Sequence, residues 1–192
     1  TEDSLFLIRS LFEKYVKNMK KKVYIAFVDF SKFFDKINRQ MLLYKLLRNG
    51  ITGNIYNIIK NIYENTTYRI RIGDQLSPVF DAHNGVKQGC CLSPTLSNIF
   101  QNDIHNIFDD DCDPISIGSF VLNSLSWADD LIIASLSKEG LQNSLNRLQA
   151  YCQRWGLEVN ILKTKIMVLA NKYEKIEIKY NEMPLEQVRS MT

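Results

Sequence analysis

Hydrophobic and polar positions repeat with two different periods along the chain, and each change of period marks a new element. Apolar residues recur every three or four positions over 5–19, which is typical of an amphipathic helix that Ser4 or Asp3 would cap. Asn38 is a candidate N-cap for a second helix, which Gly50 would end. The helical period predicts helices at 5–19, 41–47, 55–63, 94–107 and 141–155.

Strand patterns fill much of the remaining sequence. An apolar and aromatic run over 23–30 predicts a strand with Asp29 near its end, and 125–134 predicts a strand pair that folds back near an Asp-Asp tip. Residues 68–72 alternate with period two, and Gly73-Asp74 turns this segment toward 79–80, which predicts a hairpin with arginines on one face. Further strands are expected at 166–169 and 176–179.

This order of elements favours an α+β fold, with an antiparallel sheet and helices packed on one face. No repeat, low-complexity tract or flexible linker interrupts the sequence, so one domain over 1–192 is expected. A chain of 22.3 kDa with 45% hydrophobic and 23% charged residues can bury a substantial core.

Charge and cysteine content narrow the function only slightly. A net charge of +3 permits nucleic-acid binding without arguing for it, because a dedicated binder has a larger basic excess. The cysteines have no metal-ligand spacing and are expected to be reduced thiols of an intracellular protein, nuclear or cytoplasmic. No apolar stretch is long enough to span a membrane, so a soluble chain without a membrane partner is expected.

The adjacent carboxylates Asp129 and Asp130 are the most informative feature. Apolar residues flank them on both sides, and an isolated Asp-Asp in such a place is most often a solvated turn. Asp29, at the end of a similar apolar strand, changes that interpretation because it supplies a third carboxylate. Three carboxylates at neighbouring strand ends are a ligand set for two Mg²⁺ or Mn²⁺ ions in phosphoryl transfer.

Three sequence blocks resemble motifs A, B and C of reverse transcriptases, in order and in spacing. They are DFSKFFDKI at 29–37, GVKQGCCLSPTLSNIFQNDI at 85–104 and WADDLIIAS at 127–135. Residues 148–169 are similar to motif D, and IEIKYNEMPLEQV is similar to the start of the primer-grip region. The resemblance covers nearly the whole chain, and its form is most similar to the reverse transcriptases of non-LTR retrotransposons.

The resemblance implies roles for individual residues at the metal site. Asp29 and Asp129 match the two metal-ligating aspartates of this family, and Asp130 matches the second member of the motif C pair. Phe30 matches the residue whose backbone carbonyl contacts a metal ion. Trp127 stands where the family usually has Tyr or Phe, near the primer terminus. The implied cofactors are two Mg²⁺ or Mn²⁺ ions.

Further matches concern the incoming nucleotide. Phe34, five positions after Asp29, matches the bulky residue that excludes a 2′-hydroxyl, although the residue type alone favours a core position. Gln88 and Gly89 match the motif B pair that lies against the nucleotide. Lys163 matches a lysine that assists the leaving pyrophosphate, with a plain surface lysine as the alternative.

For Arg69 and Arg71, contact with a phosphate backbone and a merely solubilising role remain equally open. The implied fold is the palm of a right-hand polymerase with part of the fingers and without the thumb. The implied partners are an RNA template, a DNA primer and deoxynucleoside triphosphates, together with finger, thumb and endonuclease segments located elsewhere. The alternative is a catalytically inert, truncated or domesticated palm that acts in nucleic-acid or protein binding.

Overall fold

The computed structural model describes residues 2–64, 66–117, 120–127 and 129–189, and the side chains of residues 2–5, 7, 120 and 127 are outside that description. The chain forms two compact units. We call Thr1–Ser31 with Asp103–Thr192 the sheet unit, and Lys32–Asn102 the inserted unit.

The helices are α1 Glu2–Leu11, α2 Phe33–Lys36, α3 Arg39–Arg48, α4 Gly53–Glu64, α5 Ser93–Gln101 and α6 Lys138–Trp155. A π-helical segment, Phe12–Asn18, continues α1, and 3-10 turns occupy Ile104–Ile107 and Asp110–Cys112. The strands are β1 Val23–Asp29, β2 Thr67–Tyr68, β3 Arg71–Ile72, β4 Gln75–Leu76, β5 Phe80–Asp81, β6 Ile115–Ile117, β7 Phe120–Leu122, β8 Ser124–Trp127, β9 Asp130–Ser135, β10 Lys165–Leu169, β11 Lys179–Tyr180, β12 Met183–Pro184 and β13 Glu186–Val188.

A five-stranded sheet in the order β13-β10-β1-β9-β8 organises the sheet unit. Because β1 has a neighbour on each side, its apolar run is buried along most of its length. Val23 and Ile25 pack into a core cluster with Leu11, Tyr15 and Ala134. The α+β prediction is confirmed, but the sheet is mixed, because β13 runs parallel to β10 at one edge.

In the inserted unit, α3 begins as the sequence predicts. The Asn38 carboxamide oxygen accepts a hydrogen bond from the Met41 amide at 3.0 Å, and Gly50 follows the helix with φ +79°. The predicted hairpin is present as two short ladders, β2 with β5 and β3 with β4. Gly73 makes the turn between β3 and β4 with φ +60°.

Two predicted elements differ from the structure. The helix expected over 94–107 ends at Gln101, and the chain continues into a separate 3-10 turn where Asp103 accepts a hydrogen bond from Tyr151 at 2.6 Å. The strand expected over 176–179 forms only at Lys179–Tyr180. The amide of Ile176 donates to the side chain of Gln187 and not to a backbone carbonyl of a neighbouring strand.

Among the described residues, no helix combines the length and the apolar character that crossing a membrane requires.

Candidate active site

Asp29 and Asp130 lie opposite each other at one end of the sheet. Asp29 is the last residue of β1 and Asp130 is the first residue of β9, and the two are directly paired in the antiparallel register. Directly opposed residues have Cβ atoms about 4.5–5.5 Å apart. Asp129 occupies the turn just before β9, which confirms the predicted Asp-Asp tip of a strand pair.

The surroundings of Asp130 disfavour its charged form. Partial burial, followed by repulsion from Asp129 and then from Asp29, raises the pKa of the Asp130 carboxyl above its ordinary value. A divalent cation would oppose this effect because it favours the charged form of each carboxylate. The donor set therefore suits a hard cation such as Mg²⁺ or Mn²⁺, which prefers carboxylate oxygens.

The three carboxylates share an edge without forming a completed ligand shell. Within the described part of the chain, no three Asp, Glu, His or Cys side chains converge closely enough to hold one metal ion. Asp129 and Asp130 are both exposed, so rotation of their side chains requires no repacking of the core. The three aspartates suit a cation whose binding would draw their side chains together.

Two residues of the motif D segment form hydrogen bonds with the backbone of Asp29. The Asp29 carbonyl accepts a hydrogen bond from the Asn160 amide at 2.8 Å, and the Asp29 amide donates to the Thr164 hydroxyl at 3.3 Å. The Lys163 ammonium lies 3.9 Å from Oδ2 of Asp29. Sequence reasoning assigned no role to Asn160 or Thr164, although their Asn-x-x-Lys-Thr spacing was the available signal.

Phe30 and Trp127 flank these carboxylates. Phe30 is buried at 3% exposure, and its backbone bridges to Val159. Trp127 is the last residue of β8, directly opposite Asp130. The Trp127 side chain lies outside the described residues, so its predicted contact with the primer terminus stays a prediction.

The inserted unit holds Phe34 beside a fully interior neighbour. Phe33 is 2% exposed, whereas Phe34 is only partly buried, and the two rings meet edge to face with centroids 5.5 Å apart. Phe33 is therefore one of the interior aromatic residues of this unit, together with Tyr63 and Phe100.

The start of motif B is held tightly against the end of motif A. The amide of Gly85 donates to the Ile37 carbonyl at 2.8 Å, and the amide of Val86 donates to the Phe34 carbonyl at 2.9 Å. A Cβ on Gly85 would stand 2.9 Å from the Asp35 carbonyl oxygen, so only glycine permits this approach. The Gln88 side-chain amide donates to Oδ1 of Asp35 at 3.2 Å.

Gly89 differs from Gly85 because a Cβ there would meet nothing within 4 Å, although its φ is +80°.

The hairpin arginines Arg69 and Arg71 are both exposed, and the Arg71 Nε donates to the Gly73 carbonyl at 2.9 Å. Contact of these two arginines with a phosphate backbone stays a prediction.

A buried arginine that the sequence did not identify also supports motif B. Arg39 is 6% exposed and donates to the carbonyls of Gly85 at 2.9 Å, Tyr63 at 3.0 Å and Ala82. Its position in the first turn of α3 gave no sign of burial in the sequence. Arg39 thus ties the end of α4 and the loop before motif B to α3.

Comparison with known proteins identifies the family. Residues 2–185 match the sequence model of the family described as "Reverse transcriptase (RNA-dependent DNA polymerase)". The chain therefore belongs to the reverse transcriptase family. The resemblance to the non-LTR retrotransposon type is confirmed by the curated relatives.

The Pol polyprotein of the type-1 retrotransposable element R2 from Nasonia vitripennis is 30% identical over 174 residues, which cover 88% of this chain and 17% of that protein. The RNA-directed DNA polymerase of the mobile element jockey from Drosophila melanogaster is 27% identical over 80% of this chain and 17% of its own length. The chain thus spans about a sixth of each of these relatives.

Solved structures confirm the polymerase palm fold. Apo telomerase from Candida tropicalis superposes with a TM-score of 0.67 at 16% identity, over 85% of this chain and 32% of that chain. Telomerase from Candida albicans, in a complex with a fragment of telomeric RNA, gives a TM-score of 0.66 at 14% identity over 96% of this chain and 33% of that chain.

Proposed function

We propose that this chain is the catalytic palm of an RNA-directed DNA polymerase that uses two divalent ions. The pairing of Asp29 with Asp130, beside Asp129 in the adjoining turn, is the observation that carries the proposal. Two bound Mg²⁺ or Mn²⁺ ions would supply Lewis-acid charge to activate a primer hydroxyl and to steady the leaving pyrophosphate.

The carboxylates of Asp29 and Asp129 are the direct ligands in this proposal, together with the backbone carbonyl of Phe30. Asp130 completes the negative charge of the site. Asn160 and Thr164 position Asp29 by holding its backbone carbonyl and amide. A fixed backbone matters because catalysis by positioning is sensitive to displacements of about 1 Å.

Lys163 is suited to the leaving group. It is 69% exposed and sits beside Asp29, where its ammonium can move toward a pyrophosphate that departs from the same edge. Phe34, Gln88 and Gly89 are assigned to the nucleotide, with Phe34 beneath the sugar and the motif B pair against the base. Trp127 is assigned to the primer terminus.

The proposed substrates are deoxynucleoside triphosphates and a DNA primer on an RNA template. The relative from Drosophila melanogaster is named as an RNA-directed DNA polymerase, and a telomerase of the same fold was solved with RNA, which supports an RNA template here. Arg69 and Arg71 are assigned to the nucleic-acid backbone. Finger, thumb and endonuclease segments are proposed partners of this palm.

Primer extension on a short RNA template tests the proposal. We expect extension that depends on Mg²⁺ or Mn²⁺ when the unaltered chain is assayed together with finger and thumb segments. Asp29→Asn and Asp129→Asn should each lower the rate on the order of 10³-fold or more, because losing a ligand removes several kcal/mol of transition-state stabilisation. Asp110→Asn is the matched control, since Asp110 is an exposed acid in a 3-10 turn of the same unit.

An Asp129→Asn variant that extends primers at the original rate would contradict the metal-site assignment. If the unaltered chain, assayed together with finger and thumb segments, binds a primer–template duplex without extending the primer, the alternative of an inert binding module is correct.

A further inference from the structure

A cavity of about 570 Å³ lies in the inserted unit, lined by Asp35, by Tyr68 and Phe80 of the hairpin, and by motif B residues that include Lys87 and Gln88. Its size is in the range of pockets that hold small organic ligands, about 300–1,000 Å³. Of these five residues, Gln88 alone is assigned to the incoming nucleotide in the proposed function. The aromatic residues and Lys87 have no assigned role.

Tyr68 and Phe80 form a stacked aromatic pair. They are directly opposed in the β2–β5 ladder, and their ring centroids are 6.3 Å apart with an angle of 26° between the planes. Tyr68 is 36% exposed and Phe80 is 45% exposed. Cross-strand stacking explains why the rings touch each other, but it does not explain why both border a cavity that also contains polar side chains.

The polar part of the lining can meet the edge of a base. The Gln88 amide nitrogen donates to Oδ1 of Asp35 at 3.2 Å, so Asp35 holds the carboxamide in one orientation. Within the described residues, this arrangement leaves the Gln88 amide oxygen as an acceptor and Oδ2 of Asp35 as a second one. Ring N–H groups and exocyclic amino groups of nucleobases are the complementary donors.

Charge around the cavity is nearly balanced. Lys87 and Asp35 line it, and the hairpin that supplies Tyr68 and Phe80 carries Arg69 and Arg71 as well as Asp74 and Asp81. A surface of this kind attracts a phosphate backbone weakly, so binding must come mainly from stacking. Single-stranded nucleic acids are held in this way, because every base has a face that stacks on an aromatic ring.

We propose that Tyr68 and Phe80 form a stacking platform for one unpaired base of a single-stranded RNA. The edge of this base meets Asp35 and Gln88, and its phosphate lies toward Lys87. The identification of that RNA as the template rests on the proposed function. The stacking platform itself does not depend on the metal site.

Binding of a fluorescently labelled single-stranded RNA of about a dozen nucleotides, measured by anisotropy without divalent metal, tests the platform. Tyr68→Leu combined with Phe80→Leu keeps the apolar character and removes the rings, so we expect binding to weaken about tenfold, the scale of one lost stack. Tyr68→Phe should keep full affinity. Tyr44→Leu is the control, because Tyr44 is a 50% exposed aromatic in α3 of the same unit.

Salt dependence separates stacking from phosphate contact. Removing one phosphate contact should reduce the slope of log K against log salt by about 0.7 for a single strand. We therefore expect Lys87→Ala to lower this slope and the double leucine variant to leave it unchanged. A changed slope in the leucine variant, with unchanged affinity at low salt, would overturn the stacking assignment.

Quenching of 2-aminopurine placed in the RNA is the second readout. It should occur with the unaltered chain and with Tyr68→Phe, and it should be reduced by Tyr68→Leu alone. This single variant keeps the test decisive if the double variant does not fold. Absence of quenching in the unaltered chain would refute the platform.

Two competitors identify the occupant. Unlabelled single-stranded RNA should compete fully, whereas a free deoxynucleoside triphosphate at the same concentration should compete less, because only Gln88 is common to the two assigned sites. Equal competition by the triphosphate would overturn the assignment to a strand. Because Asp29→Asn should bind this RNA normally, loss of extension with retained stacking separates failure of the proposed function from failure of this proposal.

Discussion

The ammonium of Lys163 lies 3.9 Å from Oδ2 of Asp29, on a loop whose backbone also holds Asp29 in place. The lysine is 69% exposed, so this ion pair contributes at most about 1 kcal/mol to stability. Its position at the carboxylate edge therefore matters for chemistry more than for folding.

Lys163→Met should slow nucleotide incorporation by about 10²-fold or more, because an acid that assists a leaving group typically contributes about 10²–10⁴-fold. The melting temperature should fall by no more than about 2–4 °C. Single-turnover incorporation measures the effect, and Lys172→Met, at an exposed lysine of the same unit, serves as the control. Equal incorporation rates for both variants would show that Lys163 is a plain surface lysine.

Phe34→Val should raise incorporation of ribonucleotides relative to deoxyribonucleotides by one or more powers of ten, each worth about 1.4 kcal/mol. The reason is steric, because the smaller side chain no longer collides with a 2′-hydroxyl. Single-nucleotide insertion kinetics with both sugars measure the ratio.

Phe33→Val is the matched control for this prediction. Phe33 is 2% exposed, so its truncation should lower stability by roughly 1–4 kcal/mol without changing the sugar preference. If Phe34→Val behaves in the same way as Phe33→Val, then Phe34 is a core aromatic and does not exclude a 2′-hydroxyl.

Gly85→Ala should destabilise the chain more than Gly89→Ala. Both glycines have φ near +80°, which costs a non-glycine residue about 1–2 kcal/mol. Only at Gly85 would a Cβ also meet backbone, 2.9 Å from the Asp35 carbonyl oxygen, which adds roughly 1–3 kcal/mol. Urea unfolding of both variants gives the difference. Equal losses would show that motif B does not approach motif A as closely as described.

His105 should make stability depend on pH. Its Nδ1 lies 2.7 Å from the Ser124 hydroxyl, and burial lowers the pKa of its imidazole below the ordinary value of 6.5. The unfolded chain therefore binds a proton more readily than the folded chain. The stabilising contribution is complete above about pH 6.5 and is lost as the pH falls through the lower pKa of the folded state.

We accordingly expect the free energy of unfolding to decrease between pH 7 and pH 5, and His105→Gln to reduce that decrease. Urea titrations at several pH values measure it. His83→Gln, at the chain's other histidine, which is exposed, should retain the full dependence. A profile that His105→Gln leaves unchanged would assign the pH dependence to other groups.

Much of the fold follows from patterns that a few neighbouring residues create. The apolar run ending at Asp29, the Asn38 cap of α3 and the end of α6 at Trp155 all form as the sequence predicts. Each depends on burial of one face, a capping hydrogen bond or a left-handed glycine, so the local sequence contains the required information. The resemblance to motifs A to D likewise rests on short ordered blocks.

Tertiary structure alone decided the contacts that support the site. Thr164 bonds to Asp29 across 135 positions, and Gln88 bonds to Asp35 across 53. The parallel pairing of β13 with β10 and the burial of Arg39 have the same origin. A side chain far away in sequence satisfies a backbone group or shields a charge only after the chain has folded, and no local period records which residue it will be.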